Sequence, residues 1–190
     1  FYRPTWVEIS LDAIAHNVAE FRRRLPAGIR LMAVIKANAY GHGAVEVARE
    51  AERCGVDYLG VAFLDEALQL REAGIRTPVF VLGYTPPHGL DLAAEHDIAI
   101  GLYDERVLEA IADGAGRRAK PVKVHIKVDT GMGRLGLADA GEAVRFIGRA
   151  LQTPGLVVEG LYTHYAKADE ADKTYTEAQY RKFADIVEHF

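Results

Sequence analysis

A lysine at the end of an apolar run is the residue of this chain best suited to chemistry. Lys36 follows five apolar residues, 31–35, which predict a strand buried on both faces, as in a parallel sheet. An amine held in partly apolar surroundings can serve as a nucleophile or a base. Tyr40, Gly41 and Gly43 follow at once and suit a loop that approaches a phosphate closely. The simpler interpretation of Lys36 alone is a strand-end lysine with its head in water.

A second group of polar residues comes later. Residues 124–129 alternate apolar and polar side chains, which places three polar residues on one face: His125, Lys127 and Asp129. A lysine on an interior face needs a partner or a modification that removes its charge. Gly131 and Gly133 allow a tight bend that directs Arg134 back toward the strand end. Considered alone, Lys127 paired with an acid and Arg134 on a surface loop is the simpler interpretation.

Apolar runs alternate with amphipathic segments along the chain. We predict strands at 31–35, 58–62, 79–82, 98–102, 122–128 and 156–164, after a strand-like segment at 6–9. We predict helices at 11–25, 44–53, 64–73, 89–96, 104–113 and 140–151, and a last one that starts at a capping box of Thr176 and Gln179. Such alternation predicts parallel strands, in either an open doubly wound sheet or a (β/α)8 barrel.

The position of the polar residues favours the barrel. Lys36, Arg134 and His164 all come at or just beyond the carboxyl ends of predicted strands, and in a barrel those ends share one mouth. No G-x-G-x-x-G follows any strand, which weakens the dinucleotide-binding alternative.

Composition excludes several classes of protein. The net charge of −4 and the absence of a basic run with interleaved aromatic residues argue against nucleic-acid binding. The single cysteine, Cys54, permits no intrachain disulfide, and the seven histidines show no metal-ligand spacing. No stretch is long enough for a membrane span and no signal-peptide pattern is present, so we expect a cytoplasmic enzyme.

Three segments carry a family resemblance. Residues 33–43 and 127–136 resemble two signatures of alanine racemases, and residues 159–170 are similar to a third. The resemblance implies pyridoxal 5'-phosphate as the cofactor, with Lys36 as its covalent attachment point and as one catalytic base. It further implies a role for each matching residue: Tyr40 binds the cofactor phosphate, Arg134 contacts the cofactor oxygen and the substrate carboxylate, His164 lies near the cofactor ring, and Lys127 can carry a carbamate.

The resemblance also implies a larger architecture. Residues 1–190 would be an incomplete N-terminal (β/α)8 barrel domain with about six βα units, and the remaining barrel strands and a β-rich C-terminal domain would lie beyond residue 190. The expected activity is conversion of L-alanine to D-alanine for peptidoglycan by two bases. The second base would be a tyrosine of the other subunit of a homodimer, so this portion alone is expected to be inactive.

Other functions stay open at this stage. Within the same cofactor chemistry, a serine racemase or a barrel-type amino-acid decarboxylase would also use a strand-end lysine. A different class is a single-barrel protein that carries pyridoxal phosphate without turnover. The resemblance at residues 40–43 disfavours the decarboxylase, and the resemblance at residues 38–43 disfavours the carrier, whose lysine strand lacks that pattern.

Overall fold

Six parallel strands form the sheet of this protein, described here for residues 2–190 by a computed structural model. The strands are β1 (Met32–Val34), β2 (Tyr58–Val61), β3 (Val79–Tyr84), β4 (Ile98–Leu102), β5 (Val122–Lys127) and β6 (Leu156–Tyr162). Their order in the sheet is the order in the chain. Crossovers that always advance in one direction are typical of a (β/α)8 barrel, whereas a doubly wound sheet reverses direction. The strand order therefore confirms the barrel class.

Helices connect the strands. They are α1 (Leu11–Arg24), α2 (Lys36–Tyr40), α3 (Ala44–Arg53), α4 (Leu64–Glu72), α5 (Leu90–Glu95), α6 (Glu105–Asp113), α7 (Ala140–Ala150) and α8 (Thr174–Val187), with a 3-10 turn at Pro87–Gly89 before α5. Side-chain oxygens cap three of them, because Ser10, Asp104 and Asp139 accept from the first-turn N–H groups of α1, α6 and α7. Within the described residues, no helix is long and apolar enough to cross a membrane.

The chain divides into two compact units, and the first ends at Leu82. Its core lies between α3, α4 and β2, where Ala48, Leu59, Ala67 and Leu70 are fully buried. Glu52 of α3 binds the segment before β3, because its Oε1 accepts from the N–H groups of residues 76 and 77. These contacts attach α3 to the segment that leads into β3.

The second unit runs from Gly83 to Phe190. All residues of β4 are buried, as are the apolar residues of β5 and Phe146 of α7. The β5–β6 pairing shifts register between Val124 and His125, so that His125 lies opposite Gly160. A Cβ at Gly160 would lie 3.0 Å from Nδ1 of His125, which explains the glycine there.

Three local predictions are wrong. Residues 6–9, which the structure describes, form no strand, and Trp6 is largely exposed, since no strand of the described chain pairs with them. The first strand is not buried on both faces: Met32 and Val34 are 36% and 37% exposed, because no described element covers their side of the sheet. The capping box at Thr176 is absent, because α8 begins at Thr174 and Gln179 bonds elsewhere.

Candidate active site

The segment that begins at Lys36 is a left-handed turn. Residues 37–40 all have φ between 51° and 55°, although none of them is glycine. A left-handed conformation costs an L-residue roughly 1–2 kcal/mol. Such strain persists only where surrounding contacts hold it, and it concentrates at functional sites. The turn is therefore a candidate site on backbone geometry alone.

Contacts on both sides hold this turn. Asn38 Oδ1 accepts from Ala44 N at 2.8 Å, which connects the turn to the start of α3. The N–H groups of Gly41 and Gly43 return to the carbonyl of Asn38 at 3.1 and 3.0 Å, and both glycines have φ of 90°. The turn leaves Lys36 half-buried and the Tyr40 side chain 60% exposed. Lys36 and Tyr40 thus share one short, tightly held segment.

Sequence reasoning missed Glu66 of α4, which bonds to the same turn. Its Oε1 accepts from Ala37 N at 2.6 Å, and its Oε2 accepts from Ala62 N at 2.6 Å and Phe63 N at 3.0 Å. A glutamate three residues after the N-cap of a helix ordinarily indicates a helix cap. Nothing in the local sequence indicates the bond to Ala37, which lies 29 residues earlier.

The loop after β5 is organised by Asp129. Its carboxylate accepts from the N–H groups of Gly131, Gly133 and Arg134 at 2.9–3.1 Å. Burial by itself would raise the pKa of this carboxyl, but the bonds from the loop N–H groups together hold the pKa below its ordinary value. The loop is thereby folded around one carboxylate, and the Arg134 side chain remains exposed at its tip.

Lys127, at the end of β5, is 5% exposed. Its Nζ lies 5.2 Å from the ring centroid of Tyr162, the residue opposite it on β6. Burial raises the pKa of the Tyr162 hydroxyl. The simpler interpretation, in which Lys127 pairs with an acid, is not needed to explain Asp129, because loop N–H groups bond to that carboxylate.

His164 follows β6 and is exposed, while its backbone is held from α8. Gln179 Nε2 donates to the His164 carbonyl at 3.0 Å and to Thr130 Oγ1 at 3.2 Å, and its Oε1 accepts from Ala166 N at 2.9 Å. Thr130 Oγ1 is also 2.8 Å from Thr163 Oγ1. The second unit thus connects the Arg134 loop to the His164 loop, as the first unit joins Lys36 to Tyr40.

The described residues offer no site for a metal ion, since they contain no cluster of three or more potential ligands. Cys54 lies at the end of α3, and burial raises the pKa of its thiol. A reactive cysteine ordinarily has a lowered pKa.

Comparison with known proteins identifies the family. The family model "Alanine racemase, N-terminal domain" matches residues 9–190. The chain belongs to the alanine racemase family. It is 48% identical over 188 residues to alanine racemase 2 of Oceanobacillus iheyensis, a match that covers 99% of this chain and 48% of that protein. The chain thus spans about half the length of the curated relatives it matches.

Solved structures agree with this assignment. The alanine racemase of Bacillus anthracis with bound L-Ala-P is 43% identical, with a TM-score of 0.91, and the match covers 100% of this chain and 49% of that one. A histidine racemase from Leuconostoc mesenteroides is 33% identical, with a TM-score of 0.88 over 96% of this chain and 49% of that one. The chain therefore has the fold of the alanine racemase N-terminal barrel domain, a fold that also occurs in a racemase named for another amino acid.

Proposed function

We propose that this chain is the cofactor-binding part of a pyridoxal 5'-phosphate-dependent alanine racemase that interconverts L- and D-alanine for peptidoglycan synthesis. The observation that carries the proposal is the presentation of Lys36, half-buried at the carboxyl end of β1, on the same strained turn as Tyr40. Active sites of (β/α)8 barrels lie at the carboxyl ends of the strands. The family membership adds to this support.

The donor set of the turn fits the cofactor. Lys36 supplies a primary amine for an aldehyde, and Tyr40 supplies a phenolic hydroxyl for a phosphate. The glycine-containing stretch after Tyr40 lets the backbone come close to a bulky anion. When bound, pyridoxal phosphate withdraws electrons from the substrate Cα through its conjugated ring and so acidifies the Cα proton.

The residues of this chain then have distinct tasks. Lys36 Nζ removes or returns the Cα proton on one face of the substrate. Arg134 would bind the substrate carboxylate, for which a planar guanidinium is well matched, and would donate to an oxygen of the cofactor. His164 would help to hold the cofactor. Lys127 carries a carbamate that replaces a buried cation by an anion and orients Arg134.

Racemisation needs a second base on the opposite face of the substrate. We propose that this base is a tyrosine of the partner subunit in a homodimer, contributed by a β-rich domain that this sequence does not include. On this proposal residues 1–190 alone are inactive, and we further propose that the whole enzyme acts in the cytoplasm. The substrate is a free amino acid, and neither nucleic acid nor a membrane takes part.

The decisive experiment is borohydride reduction of the protein, expressed at its natural length and purified with its cofactor, followed by peptide mass mapping. We expect a pyridoxyl group on Lys36. Lys36→Ala should lose both the adduct and racemisation, while Lys182→Ala, on the exposed face of α8, should keep both. A cofactor adduct that persists in Lys36→Ala would refute the assignment.

Substrate choice requires a separate assay. Racemisation of alanine, serine and histidine should be compared at equal concentrations, since a histidine racemase has the same fold. Preference for alanine is the expected result. An adduct on Lys36 without turnover of any amino acid would favour the cofactor carrier, and carbon dioxide release would favour the decarboxylase.

A further inference from the structure

We propose that Glu66 is a positioning residue whose carboxylate holds the peptide group after Lys36 and, with it, the left-handed turn that presents Lys36 and Tyr40. The importance of this turn for catalysis rests on the proposed function. The geometry rests only on contacts among residues 35–66 of the first unit.

Both oxygens of the Glu66 carboxylate are used by backbone N–H groups. Oε1 accepts from Ala37 N, just after β1, and Oε2 accepts from Ala62 N and Phe63 N, just after β2. One side chain therefore links the carboxyl ends of two neighbouring parallel strands. Those ends are where a barrel enzyme places its substrate.

The bond to Ala37 acts directly on Lys36. The N–H of Ala37 belongs to the peptide group that joins Lys36 to Ala37, so fixing it fixes the main chain on the carboxyl side of Lys36. On the amino side, the carbonyl of Ile35, which belongs to the peptide group that joins Ile35 to Lys36, accepts from Ala39 N at 2.9 Å. The Lys36 Cα therefore lies between two anchored peptide groups, which fixes the direction in which its Cα–Cβ bond leaves the main chain.

The turn needs such an anchor because it is strained. Four consecutive residues without glycine, 37–40, are left-handed, and each costs roughly 1–2 kcal/mol relative to a right-handed conformation. Asn38 fastens the middle of the turn to Ala44, and the N–H groups of Gly41 and Gly43 close its end. Glu66 is the side chain that fastens its start.

A helix-capping role alone does not account for these contacts. In a capping box, a glutamate or a glutamine at the third helical position bonds to the N-cap N–H. Here the N-cap is Phe63, whose side chain has no acceptor, and Oε2 alone satisfies its N–H. Oε1 is left for Ala37. A glutamine could serve the cap as well as glutamate does. However, its NH2 group would lie against either Ala37 N–H or the N–H groups of Ala62 and Phe63, and a donor cannot accept from those groups.

This difference defines the test. Glu66→Gln and Glu66→Ala are made in the protein at its natural length, with Glu52→Gln and Glu52→Ala as matched controls. Glu52 also accepts three hydrogen bonds, from Arg76 N, Thr77 N and Thr77 Oγ1, but all through Oε1 and at the start of β3, the opposite end of the strands. Glutamine can therefore keep the contacts of Glu52 but not those of Glu66.

Two quantities are measured. One is hydrogen exchange of the amides in residues 36–43 of the cofactor-free protein, by mass spectrometry. The other is the rate at which added pyridoxal phosphate becomes attached to Lys36, measured by stopping samples with borohydride and quantifying the pyridoxyl group on Lys36. Both Glu66 variants should exchange about tenfold faster and load about tenfold more slowly, as expected for loss of one hydrogen bond. Glu52→Gln should resemble the wild type, and Glu52→Ala should lose stability to urea without either change.

The outcomes are distinct. If Glu66→Gln exchanges and loads like the wild type, Glu66 is only a helix cap and the proposal is wrong. If Glu52→Ala accelerates exchange in residues 36–43 as much as Glu66→Ala does, the effect is general destabilisation and the proposal is again wrong. If the Glu66 variants exchange faster but the wild type never loads Lys36, the proposed function fails while the anchoring of the turn by Glu66 is supported.

Discussion

The side chain of Gln179 donates a hydrogen bond of 3.0 Å to the carbonyl oxygen of His164. The same amide also bonds to Thr130 Oγ1 and Ala166 N, and Gln179 is only 1% exposed. Helix α8 is thereby attached to the loops after β5 and β6, which carry Arg134 and His164. A fully satisfied buried amide of this kind stabilises one arrangement of both loops.

The first prediction concerns this amide. Gln179→Ala removes the partner of the Ala166 N–H and of the His164 carbonyl, and should lower the free energy of unfolding by about 2 kcal/mol. The measurement is urea denaturation followed by circular dichroism. Gln69→Ala, on the exposed face of α4, is the control and should change stability by less than about 0.5 kcal/mol. Equal midpoints for the two variants would contradict the prediction.

The second prediction concerns Gly136, which has φ of 122°. A Cβ there would lie 2.9 Å from Asp129 N and 3.0 Å from Val128 C, which are backbone atoms that cannot move aside cheaply. Gly136→Ala should therefore destabilise the protein by about 2 kcal/mol, measured as a lower melting temperature by calorimetry.

The control for Gly136 is the same change within a helix. A Cβ at Gly148 of α7 would have no neighbour within 4 Å. Gly148→Ala should raise stability by roughly 0.5–1 kcal/mol, because alanine loses less backbone freedom than glycine on folding. Shifts of the same sign in the two variants would show that the loop tolerates a side chain.

The third prediction is a pH dependence at Asp129, whose pKa is lower in the folded protein than its ordinary value of 3.8. A carboxyl with a lowered folded-state pKa stabilises the fold above its unfolded pKa, and this contribution is lost as the pH falls through the folded value. Asp129→Asn should therefore be less stable than the wild type at pH 7, and the difference should shrink below about pH 4.

Urea denaturation at several pH values measures this difference. Asp185→Asn, at an exposed position of α8, is the matched control and should differ little from the wild type at any pH. A stability difference at Asp129 that is constant from pH 7 to the acid range would assign the effect to packing rather than to charge.

The fourth prediction concerns Arg134, the exposed arginine at the tip of the Asp129 loop. If it binds the substrate carboxylate, Arg134→Ala should lower kcat/KM for alanine by roughly 10- to 100-fold, as expected for a lost charge-assisted hydrogen bond. Steady-state kinetics at natural length, with Arg145→Ala on the exposed face of α7 as control, provide the measurement. Unchanged kinetics would remove Arg134 from the site.

The fifth prediction concerns the charge of Lys127. A carbamate there should give a carbon-13 resonance in protein equilibrated with labelled bicarbonate, and Lys127→Met should lose that resonance. Lys127 is almost completely buried, and a buried ammonium and a buried carbamate both need compensating partners, so the resonance decides between them. Absence of the resonance from the wild type would contradict the carbamate. Lys127 would then be an ammonium group whose Nζ lies 5.2 Å from the centroid of the Tyr162 ring, a cation–π contact.

The sequence alone determined the order of strands and helices and the chemistry of the candidate site. The strand predicted at 98–102 has those bounds in the structure, and Lys36 comes directly after the first strand region as predicted. Apolar periodicity and capping residues are local signals, since they depend on neighbours a few positions away. The types of the candidate reactive side chains are likewise read directly from the sequence.

Tertiary structure decided the features that depend on distant partners. Residues 37–40 include two alanines, which intrinsically favour a right-handed helix. In the structure these residues form a left-handed turn, which is held by hydrogen bonds with Glu66 and Ala44. Gln179 was predicted to cap its own helix but instead bonds to His164 and Ala166. Hydrogen-bond partners far apart in the chain become neighbours only when the strands pair, so local sequence patterns do not reveal them.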